Sequence, residues 1–251
     1  MTYDVVNRAR RTTRRRVTAA CMTAAAALGA VTVAVVVGAD PSRPITSPAG
    51  PGAPARPNAG AATAGSADLP SDLGWANVAG VSVPVSTQSG PRLTSGGQAR
   101  GFAHDRAGGV LAAVHIVLRV NPQVGPTVFD PTLRTQVVGA DAAAMRVQVA
   151  QAYDELRGPA GVAYGQPIGR VYATLRGYQI LSYIGDEVTL RLLTEAPDAS
   201  GAPVVASTEL RLRWSGADWA LIAPAGGTFD QVVTAASPAE VAAFLPFIAG
   251  R

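Results

Sequence analysis

His104 and His115 are the only imidazoles in the 251-residue chain, and they stand eleven positions apart. On one helix that spacing turns them to nearly the same side but separates them by about 16 Å along the axis, too far to share a metal ion. Each is therefore weighed as a solitary base, against the commoner role of a helix-start or packed core histidine. Two adjacent carboxylate pairs, Asp154-Glu155 and Asp186-Glu187, offer the residue types of acid–base chemistry. Neighbours on a strand face opposite ways and on a helix diverge by about 100°, so neither pair makes a dyad by itself. Tyr172, Tyr178, Tyr183, Trp214 and Trp219 have the bulk to line a pocket, although aromatics on a half-buried sheet usually serve as core.

What the chain lacks narrows the choice further. All 21 basic residues are arginine, so there is neither a Walker A lysine nor a Schiff-base nucleophile. No G-x-S-x-G elbow or H-E-x-x-H helix occurs, and the single cysteine, Cys21, has no partner for a disulfide or a zinc site. The reading is of a non-enzymatic chain with no catalytic residue, no cofactor, no metal site and no nucleic-acid or small-molecule ligand. One functional surface is left. Glu209, Arg211 and Arg213 alternate with Leu210, Leu212 and Trp214, and Arg191 alternates with Leu190 and Leu192. With the apolar set inward, Arg191, Glu209, Arg211 and Arg213 form an outward charged sheet face available to a protein partner.

The elements that must position these residues follow from period and punctuation. His104 to Val120 reads as a helix with Asp105 as its N-cap or a first-turn acid, stopped by Asn121-Pro122, and its Gly108-Gly109 pair implies close packing on a neighbour. A short helix is expected over Pro131 to Val138. Asp141 to Arg157 is the clearest helix, with Met145, Val149, Ala152 and Leu156 on one face and Gly158-Pro159 as its stop. After Gly169 the period changes to two, giving strands over Arg170–Ile184 (kinked at Gly177), Glu187–Thr194, Val204–Trp214 and Trp219–Ile222. Trp75 to Val85 reads as an extended lead-in with Pro84 at an edge. Ser237, Pro238 and Glu240 open a final helix to Ile248. The fold expected is α+β, with helices packed on one face of a curved antiparallel sheet of about four strands. Leu210, Leu212, Trp214, Trp219 and Leu221 are expected to pack against the helix bearing Met145.

Upstream of this domain the chain changes character. Six arginines lie between Arg8 and Arg16, followed by 23 uncharged residues from Val17 to Ala39. As a helix those residues exceed the roughly 30 Å apolar core of a bilayer. Residues 1–16 therefore read as a cytoplasmic tail, 17–39 as a transmembrane helix in contact with lipid, and 75–251 as a domain outside the cell membrane. Cleavage after Ala39, which would make a secreted cell-wall protein, is the alternative. Residues 40–74, rich in Pro, Ala, Gly, Ser and Thr, read as a disordered tether. The formal charge of +4 divides into +5 for residues 1–16 and −1 for residues 40–251, so the outer domain has no basic excess for nucleic acid.

Three segments carry a family resemblance. They are Gly101-Phe102-Ala103-His104 with Gly109 to Ala113, Thr132 to Gly139, and Leu212-Arg213-Trp214 with Asp218 to Pro224. Over about residues 90–230 the chain resembles a family of actinobacterial single-pass membrane proteins of integrative conjugative elements and plasmids. The order of helices, then a sheet ending in a tryptophan-bearing hairpin, is similar to nuclear-transport-factor-two-like (cystatin-like) domains. Bitopic assembly proteins of type IV secretion and conjugation machines share that layout. The resemblance implies a membrane-anchored scaffold that contacts other transfer-apparatus proteins or itself, and it brings no catalytic residues with it. A small-ligand-binding or acid–base enzyme domain on the same cone-shaped fold, using His115 or a buried carboxylate, is the other reading kept open.

Overall fold

A computed structural model describes residues 69–248. The expected tail (1–16), membrane span (17–39) and most of the tether lie outside the described residues. No helix among the described residues is long and apolar enough to cross a membrane.

The lead-in is a hairpin of β1 (Gly74–Val78) and β2 (Val81–Val85). Ala79 and Gly80, with φ of 51° and 92°, supply the two left-handed positions that a tight two-residue turn requires. Helix α1 (Arg106–Arg119) follows, capped as expected by Asp105, whose Oδ1 accepts from Gly108 N at 2.7 Å. All its residues from Ala107 to Arg119 are buried, because apolar or small side chains surround the helix instead of forming one stripe. Gly109 is needed for the fit: a Cβ there would lie 3.0 Å from Val188 Cγ1 and 3.6 Å from the Trp219 ring. The close packing expected of Gly108-Gly109 is present.

Beyond a 3-10 turn (Pro122–Val124) come α2 (Pro126–Thr135), the two-residue β3 (Val137–Val138) and α3 (Ala142–Arg157). The expected helix over 131–138 is corrected at both ends. It starts earlier, with Pro126 in its first turn, and it stops before the β-branched pair Val137-Val138. That pair lies parallel to a later strand, held by Leu221 N to Gln136 O and Ala223 N to Val138 O, each 2.8 Å.

Strands β4 (Thr174–Ile184), β5 (Glu187–Pro197), β6 (Pro203–Trp214) and β7 (Trp219–Ile222) make the meander. The sheet order is β3-β7-β6-β5-β4, with β8 (Val233–Ala235) also pairing β6. The fold is thus α+β as expected, but the sheet is six-stranded and mixed, since β3 adds in parallel. Gly177 marks a register shift in β4, as expected, and a second shift falls between Ile180 and Ser182.

Two packing expectations are overturned. Helix α3 does not cover the sheet; it packs on α2, on the 3-10 turn and on the loop at Ala225–Gly227. Its buried stripe is Ala142, Met145, Val149 and Tyr153, while Ala152 and Leu156 are only half-buried. Helix α1 takes the place under β5, β6 and β7, with the β1–β2 hairpin packed against it as well. The final helix, α4, is four residues long (Pro238–Val241), with the expected Ser237–Glu240 capping box. It ends early because Pro246 disfavours helix at Leu245, and Leu245 instead exchanges two backbone bonds with Tyr178 on edge strand β4. Phe247 then tucks into the core beside Tyr178 and Trp75.

Candidate functional site

The hairpin closed by Ser215–Asp218 sets Trp214 directly opposite Trp219, so both indoles share the sheet face that meets α1. Trp219 is fully buried and donates Nε1–H to Ala103 O at 2.8 Å. Asp218 fixes the loop before α1 by accepting from Gly101 N (2.8 Å) and Phe102 N (3.2 Å). Trp214 lies at the rim, half-buried, which corrects its expected place in the core. The α1 loop carries His104 onto it: the rings stack at 4.2 Å with 10° between planes, and His104 Nε2 pairs with Asp186 Oδ1 at 2.9 Å. Arg106 lies 5.4 Å from the Tyr183 ring centre, and Tyr183 packs on Trp219 at 6.3 Å. Partial burial, with Asp105 nearby, raises the Tyr183 pKa.

Five residues weighed separately in the sequence, His104, Asp186, Tyr183, Trp214 and Trp219, therefore converge on one corner. Tyr178 and Tyr172 do not join them: Tyr178 is buried against Phe247, and Tyr172 is exposed beside Arg170. Asp154 is engaged with Arg157 at 2.7 Å. Among the described residues no three His, Cys, Asp or Glu side chains gather to hold a metal.

On the other face of the sheet the alternation puts the charged set outward as expected, and the register pairs opposite signs. Arg191 opposes Glu209, with Nη2 to Oε2 at 3.1 Å, and Arg213 opposes Glu187, with Nη2 to Oε1 at 2.7 Å. Arg211 opposes Thr189 and has no ion pair among the described residues. Each pair contributes about 0.2–1 kcal/mol, since both partners are solvated. The ladder does more to fix register than to stabilise. A one-residue slip would set Arg213 off Glu187 and Arg191 off Glu209 together.

His115 has the opposite setting. It is fully buried, and both ring nitrogens are used. Nε2 sits 2.8 Å from Pro84 O, a pure acceptor, so it carries the proton; Nδ1 sits 2.8 Å from Arg119 Nη1, a pure donor, so it is bare. Burial, then the Arg119 charge, lowers the His115 pKa to about 4. Arg119 is itself buried, with its pKa lowered to about 10, and its position in the last turn of α1 matches the negative end of the helix dipole. This buried cation was not singled out in the sequence, where an arginine four residues after a histidine carries no distinctive signal.

Taken together, the fold and surface define an α+β domain with an enclosed central helix, an aromatic corner and a charge-paired outer sheet face. Residues 36–243 match the domain of unknown function DUF8175, and the chain belongs to that family. No curated protein and no solved structure matches it.

Proposed function

We propose that this chain is a non-enzymatic, membrane-anchored scaffold of a conjugative DNA-transfer apparatus, whose outer domain contacts other apparatus proteins through its charged sheet face. The observation that carries the interaction reading is the enclosure of α1 beneath the sheet, beside an exposed charged face. Helix α1 occupies the space beneath the sheet where a ligand cavity would lie, and the ladder of Arg191, Glu209, Arg211 and Arg213 lies open on the other side. Arg211, without an ion pair among the described residues, gives that face a free cation of the kind enriched at protein interfaces. The anchor at residues 17–39 rests on the arginine run and the 23 uncharged residues after it, and the nuclear-transport-factor-two-like likeness and the conjugative setting rest on the sequence resemblance. Such a face governs association rate and partner choice more than raw affinity.

The test is genetic. A strain whose element lacks this gene, complemented with the natural chain or with Arg211→Glu/Arg213→Glu, is scored for transfer frequency. Loss on deletion, with poor rescue by the charge-reversed chain, is the expected result; unchanged transfer on deletion removes the proposal.

A further inference from the structure

A second surface is built from other elements. The stripe on α3 that was expected to face the sheet opens instead into a cleft of about 140 Å³. Its floor is Met145, Val149 and Ala152 of α3, with Val120 from the end of α1 and Phe229 from the loop after β7. The far wall is fixed by Gly227, at φ +74°, whose missing side chain lets the loop lie on the α3 backbone; a Cβ there would fall 2.3 Å from Met145 N. The rim is polar, with exposed Gln148 and exposed Asp230. Asp230 has no ion pair among the described residues.

Size decides what fits. Small-molecule and cofactor sites run to about 300–1,000 Å³, whereas an apolar cavity of about 150 Å³ holds a single benzene-sized group. This cleft accommodates one apolar side chain, and its rim acid selects a cation beside it. We infer that the α3 cleft is a docking site for a partner protein segment that inserts one leucine-sized side chain flanked by an arginine or lysine, the cation pairing with Asp230. This site is distinct from the charged sheet face.

Methionine supplies the probe. The chain has three methionines, Met1, Met22 and Met145, and Met145 lies in the cleft floor. The full chain, labelled with ¹³C-methyl methionine in lipid nanodiscs, is titrated with acetyl-Leu-Arg-amide, acetyl-Leu-Glu-amide and acetyl-Ala-Arg-amide. The expected result is a saturable shift of the Met145 methyl with Leu-Arg alone, at a Kd of about millimolar. Asp230→Asn should weaken it about two- to five-fold, and Ala152→Trp, filling the cleft, should abolish it. Both substituted positions are at least partly exposed, so the fold survives to be measured. No saturable shift with Leu-Arg, or equal shifts with Leu-Arg and Leu-Glu, overturns the inference. So does a shift by benzyl alcohol that matches Leu-Arg and ignores Asp230→Asn, which would mark a site for small apolar molecules. A shift produced only by raising protein concentration would mark a second copy and overturn it too. None of these outcomes bears on the transfer assay with Arg211 and Arg213.

Discussion

Helix α1 buries thirteen of its fourteen residues, and helix α3 four of its sixteen. Both begin after an aspartate and end in arginine, and both carry apolar residues at helical spacing. What separates them is the rest of the circumference. In α1 the remaining positions are Ala and Gly with a satisfied His115 and Arg119, so every side can face protein. In α3 they include Arg146, Gln148, Gln151, Asp154 and Glu155, so only one side can. A clean stripe makes a helix easy to recognise, but it also sends that helix to the periphery. The helix without a polar face takes the centre, between the large sheet and the β1–β2 hairpin.

The largest expected effect separates the two tryptophans beside α1. Trp219→Ala should cost about 3–5 kcal/mol, as for other fully buried large side chains. Trp214→Ala, at the rim, should cost about 1–2 kcal/mol from its ring contacts and partial burial. Denaturant unfolding of both variants checks this. Equal losses would mean that the corner is as buried as the core.

The next effect belongs to His115. Its pKa is lower in the folded chain than in the unfolded one, so the unfolded state takes up the proton first. Stability should hold above pH 6.5 and fall by about 3 kcal/mol between pH 6.5 and 4. His115→Gln should flatten that slope even if it lowers stability at pH 7. A slope unchanged by the substitution would mean the histidine is not buried as described.

How much of this could be read beforehand differs by element. The alternation in β5 and β6 was legible because each strand has one wet and one dry face, and Glu209, Arg211 and Arg213 face outward as read. Asp105, Gly177 and Ser237 announced a cap, a bulge and a capping box by local chemistry. Three features depended on distant partners and had no local signature. Val137-Val138 is a strand only because β7 lies beside it. Leu245 is kept out of a helix by Pro246, but its pairing with edge strand β4 has no local signal. His104 meets Trp214 and Asp186 only once the hairpin closes, so the candidate corner appears from residues that singly read as surface and core.

Smaller effects sharpen the contrast between the helices. Gly109→Val should cost about 1–3 kcal/mol by overpacking against Val188 and Trp219. Ala150→Val, on the exposed side of α3, should cost no more than its helix propensity, about 0.5 kcal/mol. Thermal melts of the two variants side by side measure the difference, and similar shifts would erase it. Smallest of all, Arg191→Ala should lower stability by about 0.2–1 kcal/mol at low salt, and the loss should shrink as salt is raised. A larger, salt-insensitive loss would mean that the ladder is covered and not an open face.

The central claim, that α1 is the enclosed helix and α3 the peripheral one, is tested most directly by native-state amide hydrogen exchange on the full chain. Amides from Val110 to Leu118 should exchange only through global unfolding, while those from Arg146 to Gln151 should exchange through local opening at least about tenfold faster. Exchange from α1 as fast as from α3, or α3 protected to the global limit while α1 opens locally, would contradict the account.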